Sequence, residues 1–244
     1  MSDEKTKAVK RLKALTPARI GVGRAGTRPA TAALLSFWAD HAEARDAVKG
    51  DLSADFVEKF CHCYQAVAVH STVQNRDEFI LFPPRGKRLC TEDEKMLISR
   101  FGSDVYDVAI IISDGLSARA VEENLPDLYP MLLDGFSPAN ISVSPLVIVH
   151  HGRVAIGDQI AHLAGAKVAI NLIGERPGLS CATGLSAYIT YNPNPQTTIS
   201  SDRTVVSNIH AGGTPAVEAG AFIVKVVERI LAVKVSGVKL QAIS

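Results

Sequence analysis

The residues best suited to chemistry stand in polar loops that directly follow apolar runs of the chain. The loops are Ser113-Asp114-Gly115, His150-His151-Gly152-Arg153 and Gly174-Glu175-Arg176-Pro177-Gly178. The carboxylates of Asp114 and Glu175 and the guanidinium groups of Arg153 and Arg176 can bond to amide or phosphate groups. The two adjacent histidines of the second loop fit either an acid–base pair or two structural hydrogen-bonding groups. Any one such loop is also common in ordinary turns, so what matters is whether the loops lie together.

The apolar runs before these loops predict parallel strands that are buried on both faces. The runs cover residues 105–112, 145–149 and 167–173, and they are continuously apolar rather than alternating. Helical patterns separate them, at 117–133 with an interruption at Pro126 and at 154–163. In such a parallel α/β unit, ligands bind beyond the carboxyl ends of the strands. We therefore predict that the loops converge on one ligand site, where glycines let a bulky ligand approach the backbone.

A glycine-rich segment leaves a second hypothesis open. Gly21, Gly23 and Gly26 form a GxGxxG pattern, the fingerprint of dinucleotide sites. A buried strand should precede this fingerprint, and only residues 18–20 are available for one. A nucleotide-dependent, NAD-type enzyme is therefore the alternative function, and a scaffold without a ligand is a third.

The cysteines give little support to a metal site or to disulfides. Cys61 and Cys63, with His62 and His70 nearby, hint at a metal, but a strand-like C-x-C only places two thiols on one face. The four cysteines are sparse and irregularly spaced, which is typical of reduced thiols in the cytoplasm. We expect no metal site. The chain also lacks GxSxG, HExxH and P-loop motifs, so hydrolase, metalloprotease and NTPase functions have no motif support.

An amphipathic helix is predicted over residues 29–48. One side carries Leu34, Phe37, Trp38, Ala42 and Val48, and the opposite side carries Asp40, Glu43 and Asp46. His41 and Arg45 lie in the middle of the apolar side. This side either packs at the edge of the core or meets another subunit or a ligand.

The remaining patterns complete a two-part chain. Before the parallel unit we expect a basic surface helix at 5–13, a short helix at 55–60, a strand-like stretch at 64–73 and a further short segment at 78–82. A helix then begins with a capping box formed by Thr91 and Glu94. After it we expect strands at 186–191 and 204–209 and a last helix that begins at Pro215 and ends at Gly237. The predicted domains are a helical or mixed region at 1–100 and an α/β domain at 101–244.

The composition excludes several classes of protein. The chain has 244 residues, 47% of them hydrophobic, and a formal net charge of +1. A nearly neutral chain has no overall field to attract a nucleic acid, and this one has no apolar run near the roughly 20 residues of a membrane span. The polar N-terminal residues do not resemble a secretory signal, so we expect a cytoplasmic protein.

Taken together, several segments resemble the small (light) subunit of ethanolamine ammonia-lyase. The matching segments include GVGRAGTRP at 21–29, ALLSFWADHAEARDAV at 33–48, ISDGLS at 112–117, GRV at 152–154, IGERPGL at 173–179 and DRTVVSNIHAGGTP at 202–215. This order of motifs is highly specific, and the resemblance extends from about Ala18 to Gly237.

The resemblance implies an adenosylcobalamin enzyme made of two kinds of chain, which converts ethanolamine to acetaldehyde and ammonia. In that family a larger barrel chain holds the substrate and carries out the radical rearrangement, so no catalytic residue is expected in this chain. The smaller chain has a Rossmann-like core, here with an N-terminal helical extension, and covers the corrin and its nucleotide tail. Cofactor contacts of the family correspond to Val154, Glu175 and Val205, where Val205 replaces a frequent cysteine. From its strand-end position, Asp114 is a further candidate.

Two details of the resemblance concern the metal and the N-terminus. Cobalamin proteins of another class replace the benzimidazole with the histidine of a DxHxxG loop, but Asp158 and His162 have the wrong spacing for it. We therefore expect the benzimidazole to stay on cobalt, with no cobalt ligand from this chain. Some relatives carry a longer leader associated with packaging in a bacterial microcompartment. Only about 17 residues precede the family-like region here, which leaves packaging open.

Overall fold

A six-stranded sheet lies at the centre of the computed structural model, which describes residues 2–16 and 18–243. The first part of the chain forms α1 (Ser2–Ala14), α2 (Thr31–Lys49), α3 (Ala54–Tyr64), β1 (Val67–His70), α4 (Arg76–Leu81) and α5 (Thr91–Phe101). The second part forms β2 (Val108–Ser113), α6 (Ala118–Phe136), β3 (Val147–His150), α7 (Val154–Leu163), β4 (Val168–Gly174), β5 (Leu185–Tyr191), β6 (Arg203–Ile209), α8 (Ala216–Val233) and α9 (Val238–Gln241). Short 3₁₀ turns lie at Arg85–Lys87 and Ser200–Asp202.

The strands are arranged in the order β1-β3-β2-β4-β5-β6. The first four of these run parallel, whereas β5 is antiparallel to β4 and β6 is antiparallel to β5. Helices α6 and α7 return the chain between parallel strands, but the connection from β4 to β5 contains no helix, so the chain reverses direction there. The predicted α/β class is confirmed, and the antiparallel pair at one edge is an addition to the predicted parallel sheet.

Helices cover the two faces of the sheet unequally. On one face, Ile110, Ile170 and Ile189 pack against the buried stripes of α6 and α8. On the other face, Ile111 and Ala169 pack against α5 and α7. Among the described residues, this second core includes side chains of β1 to β4 but none of β5 or β6. One face of the antiparallel pair is therefore left without a helix.

Helix α6 is continuous, so the predicted interruption at Pro126 is wrong. Pro126 and Pro130 both lie inside the helix, and Pro126 is exposed. Because proline has no N–H, the carbonyl four residues before it loses its helical hydrogen bond, but at an exposed position water can bond to that carbonyl. The buried stripe that includes Leu125, Leu128 and Leu132 keeps the helix packed. The packing of a long apolar face therefore outweighs the low helix propensity of proline here.

Three further local predictions are wrong. Cys61 and Cys63 lie in α3, not in a strand, so their side chains point to different sides of a helix. Thr91 is the first residue of α5, whose N-cap is Cys90 without a side-chain cap bond. Helix α8 ends at Val233, and its C-cap Lys234 is left-handed with φ 59°, whereas Gly237 is the N-cap of α9.

Helix α2 lies on the surface of the protein and is held there by ion pairs from its polar side. Glu43 pairs with Arg119 of α6 at 3.0 Å, and Asp40 pairs with Arg19. None of its residues is buried, and Leu35 and Trp38 are 55% and 56% exposed. The predicted amphipathic helix is present, but its apolar side does not form part of the core. No helix in the described part of the chain is long and apolar enough to cross a membrane.

Candidate functional site

A small cavity lies at the carboxyl ends of β2 and β4. Its volume is about 90 Å³, and its lining includes Gly115, Arg153, Val154, Glu175 and Tyr188. The structure therefore brings together Gly115, Arg153 and Glu175, one from each predicted loop, and adds Val154, which the resemblance indicated. Tyr188, on β5, was not singled out in the sequence because it stands inside an apolar strand.

Glu175 follows β4 directly and is held at both its backbone and its side chain. Its N–H donates to the Gly184 carbonyl at 2.9 Å, and the Tyr188 hydroxyl donates to its Oε1 at 2.9 Å. Burial, followed by the bond to Glu175, raises the pKa of Tyr188 to about 12. The phenol therefore stays protonated, and remains a donor, at neutral pH.

Val154 is fixed through a polar residue inside the sheet. It is the first residue of α7, and its carbonyl accepts from Asn171 Nδ2 at 3.0 Å. Ser113 Oγ donates to Asn171 Oδ1 at 2.9 Å, so the amide is held on both sides. A buried asparagine in the otherwise apolar run 167–173 is the signal that the sequence offered for this contact.

Val205 lies on the uncovered face of the antiparallel pair. It is 46% exposed and pairs in register with Tyr188, which in turn pairs with Asn171. Side chains at paired positions of neighbouring strands point to the same face. The structure thus places Val205 beside the tyrosine that bonds to Glu175.

Asp114 is fully buried and holds two of the loops together. Its Oδ2 accepts from the His151 N–H at 2.9 Å and from Arg76 Nη1 at 3.3 Å, and its Oδ1 accepts from the Gly152 N–H at 3.0 Å. Burial raises the pKa of this carboxyl, and the charge of Arg76 acts in the opposite direction. Sequence spacing gave no sign of Arg76, which reaches Asp114 from α4.

Three of the loop glycines allow neighbouring segments of the protein to pack closely. A Cβ at Gly174 would overlap the Ser117 carbonyl oxygen, and one at Gly115 would overlap the Gly174 carbonyl oxygen. A Cβ at Gly152 would lie 2.7 Å from Ser113 Oγ. A Cβ at Gly178 of the third loop, by contrast, would meet nothing closer than the Cys181 carbonyl oxygen at 3.6 Å.

The adjacent histidines lie away from the cavity lining. The ring of His150 stacks on that of His70, with centroids 5.0 Å apart, and His151 Nε2 lies 3.0 Å from Asp51 Oδ1. Possible ligand atoms of Asp51, Asp114 and His151 all lie within 4.8 Å of one another. Since Arg76 already bonds to Asp114, the charge that a metal ion would supply is present as a guanidinium group.

The two arginines of the predicted site differ in their surroundings. The Arg153 guanidinium lies 3.9 Å from the Phe79 ring centroid, and its Nη2 donates to the Phe79 carbonyl at 2.7 Å. Arg153 Nε is buried and has no hydrogen-bond partner in the described part of the chain. Arg176 is exposed. Arg153 therefore packs within the protein, and Arg176 is open to a partner or a ligand.

A larger open groove begins beside the Glu175 loop. It has a volume of about 690 Å³ and lies between α2, residues 178–183 and residues 208–212. Asp40, Arg119 and His210 are among its polar lining residues. Residues 173–179, which carry one of the motifs noted in the sequence, thus extend from the cavity to this groove, and the motif at 202–215 contributes residues 208–212 to the groove.

The glycines of the GxGxxG pattern do not form a dinucleotide fingerprint. Gly21, Gly23 and Gly26 all have positive φ and lie outside helices and strands, and no strand precedes them among the described residues. The next helix begins only at Thr31. A strand, glycine turn and helix N-terminus are all needed for that fingerprint.

Comparison with protein families agrees with the order of motifs along the chain. The family model of the ethanolamine ammonia-lyase light chain (EutC) matches residues 6–241 of the 244-residue chain. The match includes the cavity, the groove and all the strands that form the sheet. The chain therefore belongs to the ethanolamine ammonia-lyase light chain family.

Proposed function

We propose that this light chain binds adenosylcobalamin together with the larger barrel chain of ethanolamine ammonia-lyase, and that Val154, Glu175 and Val205 contact the cofactor. The larger chain would hold ethanolamine and carry out its conversion to acetaldehyde and ammonia. The chemistry that adenosylcobalamin supplies when bound is a carbon radical, from homolysis of its cobalt–carbon bond.

The observation that carries this proposal is a site that is open and incomplete. Pockets that enclose a drug-sized ligand have volumes of roughly 300–1,000 Å³. The cavity at Val154 and Glu175 measures about 90 Å³, which suits one polar substituent but not a macrocycle. A corrin would therefore lie over the cavity and against the uncovered sheet face, with its other side left for a second chain.

The residues around the cavity fit the chemistry of a corrin. Its side-chain amides offer N–H donors and carbonyl acceptors. The carboxylate of Glu175 can accept from such an amide, and Arg153, which also lines the cavity, has an Nε without a hydrogen-bond partner among the described residues. Val154 and Val205 supply apolar surface for the edge of the ring. If the family's contact at position 205 is apolar or through the main chain, valine can maintain it.

We propose a positioning role for Asp114. No carboxylate oxygen of this fully buried residue is open to a ligand, and its bonds fix the loop that leads into Val154. Asp114 would therefore support the site from beneath.

We also propose that the chain gives no ligand to cobalt. Asp158 forms a buried ion pair with Arg203 at 2.5 Å, and His162 lies exposed on α7. Electron paramagnetic resonance of the complex with ¹⁵N-histidine tests this point: unchanged nitrogen splitting is expected, and splitting from protein histidine would contradict it.

Reconstitution of the enzyme tests the proposal as a whole. Each chain alone, the mixture and the mixture with adenosylcobalamin are assayed for acetaldehyde release from ethanolamine, and cofactor binding is followed by its visible spectrum. We expect turnover and saturable binding only with both chains. Turnover by the light chain alone would overturn the division of labour, and tight NAD binding by it would favour the nucleotide-dependent alternative.

A further inference from the structure

Tyr188 stands at the centre of a row of side chains that crosses three strands. It pairs in register with Asn171 on β4 and with Val205 on β6. All three side chains point to the same face of the sheet, which is the face that no helix covers at β5 and β6. Two of the proposed contact residues are thereby tied to this row: Val154 through Asn171, and Val205 by its own position.

The third contact, Glu175, is tied to the row through Tyr188 itself. Glu175 lies in a loop, where a carboxylate on a flexible side chain would otherwise sample several rotamers. The Tyr188 hydroxyl donates to Oε1 at 2.9 Å, and the described residues offer no donor to Oε2. The bond thus selects one direction for the carboxylate and leaves its second oxygen available at the cavity.

The ring of Tyr188 is itself held firmly. Its neighbours in register lie on both sides, and its strand is buried at the adjacent Ala187 and Ile189. The pKa of Tyr188 is raised to about 12, first by burial and then by Glu175, so the hydroxyl keeps its proton. A rigid, permanently protonated donor is well suited to orient a carboxylate.

We propose that Tyr188 is a positioning residue for adenosylcobalamin binding, which acts by orienting the Glu175 carboxylate. This inference rests on the proposed function of Glu175. It adds a residue that the resemblance to the family did not assign.

The first experiment measures affinity in the complex with the larger chain. Adenosylcobalamin is titrated into wild type, Tyr188→Phe, Glu175→Ala and the double variant, and Kd is obtained from the visible spectrum. Because one hydrogen bond to a charged acceptor is lost, we expect Tyr188→Phe to raise Kd by about tenfold. In the Glu175→Ala background, the same change should alter Kd by less than about twofold, since its target is gone.

Tyr191→Phe is the matched control, because it removes a hydroxyl from the same strand at the far end of the sheet. We expect its Kd to equal that of wild type, and the melting temperature of the Tyr188→Phe light chain to stay within about 2 °C of wild type. If Tyr188→Phe raises Kd equally in both backgrounds, Tyr188 acts independently of Glu175 and the inference is wrong. If only Glu175→Ala raises Kd, the inference fails while the proposed function stands.

A measurement on the light chain alone tests the contact without the cofactor. Tyrosines labelled with ¹³C in the ring are titrated by NMR in wild type and Glu175→Ala. We expect one tyrosine pKa to fall in the variant, because the carboxylate no longer opposes formation of the phenolate. Unchanged tyrosine titrations would overturn the inference. If wild-type complex fails to bind adenosylcobalamin at all, the proposed function is wrong and the inference falls with it.

Discussion

At the scale of single residues, the site depends on side chains that no local pattern connects. Glu175 was predicted from its place after a buried strand and Val154 from the resemblance to the family, and the cavity brings them together. Tyr188, Asn171 and Arg76 were not predicted, since each acts on a residue distant in the chain. Spacing reveals which loops share a sheet edge, but not which side chain bonds to which.

Gly174 gives a prediction on how the loops fit together. Gly174→Ala should lower the free energy of unfolding by roughly 1–3 kcal/mol, because the new Cβ meets backbone atoms of Asp114 and Ser117 that cannot easily move. Urea denaturation measures this. Gly178→Ala is the control, since its Cβ would meet nothing closer than the Cys181 carbonyl oxygen at 3.6 Å. Equal effects of the two changes would refute the interlocked loops.

His150 gives a prediction on pH. Its pKa is lowered, first by burial and then by the nearby His70 and His151, while Asp51 raises it. A depressed pKa means that the unfolded chain binds the proton more readily, so stability is lost as pH falls below about 6.5. We expect the melting temperature of wild type to decrease from pH 7 to pH 5 more steeply than that of His150→Gln.

The melting temperatures of wild type and His150→Gln at pH 8 serve as the reference for this prediction. At that pH neither protein carries a charge at position 150, so the two differ only in packing. Parallel profiles of wild type and His150→Gln would show that this imidazole does not set the acid sensitivity.

At the scale of elements, the positions of strands along the chain were more predictable than the directions of strands or the orientation of helices. Continuous apolar runs identified β2, β3 and β4, because a strand covered on both faces needs apolar residues at every position. The antiparallel direction of β5 and β6 was not evident, because it depends on the absence of a helix in the preceding connection. The orientation of α2 was not evident either, because its amphipathic pattern does not say whether the apolar side meets the core or a partner.

The exposed side of α2 gives a prediction on assembly. Trp38→Glu should weaken association with the larger chain by at least about tenfold while leaving the melting temperature of the light chain nearly unchanged, because Trp38 is 56% exposed. Association is measured by analytical ultracentrifugation. Ser36→Glu adds the same charge at another exposed position of α2 and should have little effect. Unaltered assembly of the Trp38 variant would show that this side is not an interface.

Arg45 lies on the same helix with a largely exposed side chain, 3.7 Å from Asp46. Arg45 does not pack at the edge of the core, so we expect a role for it in assembly rather than in folding.

At the scale of the whole molecule, the predicted division at residue 100 needs a test of its own. Residues before it supply β1 to the edge of the sheet and the buried side chains of Phe60 and Leu97 to its two faces. We expect a fragment of residues 102–244 to lack a cooperative thermal transition, because the surface beneath α5 would be exposed. Circular dichroism with the full chain as control measures this, and a native-like transition would make the second part a self-sufficient domain.

The position of β6 at the edge of the sheet has a consequence for how the two chains must be produced. An edge strand that lies beside a face without a helix readily pairs with copies of itself. A light chain made in excess of its partner would therefore be lost to aggregates or proteases. Synthesis of the two chains in matched amounts is the expected remedy, and the soluble yield of light chain should rise in step with the dose of the gene for the larger chain.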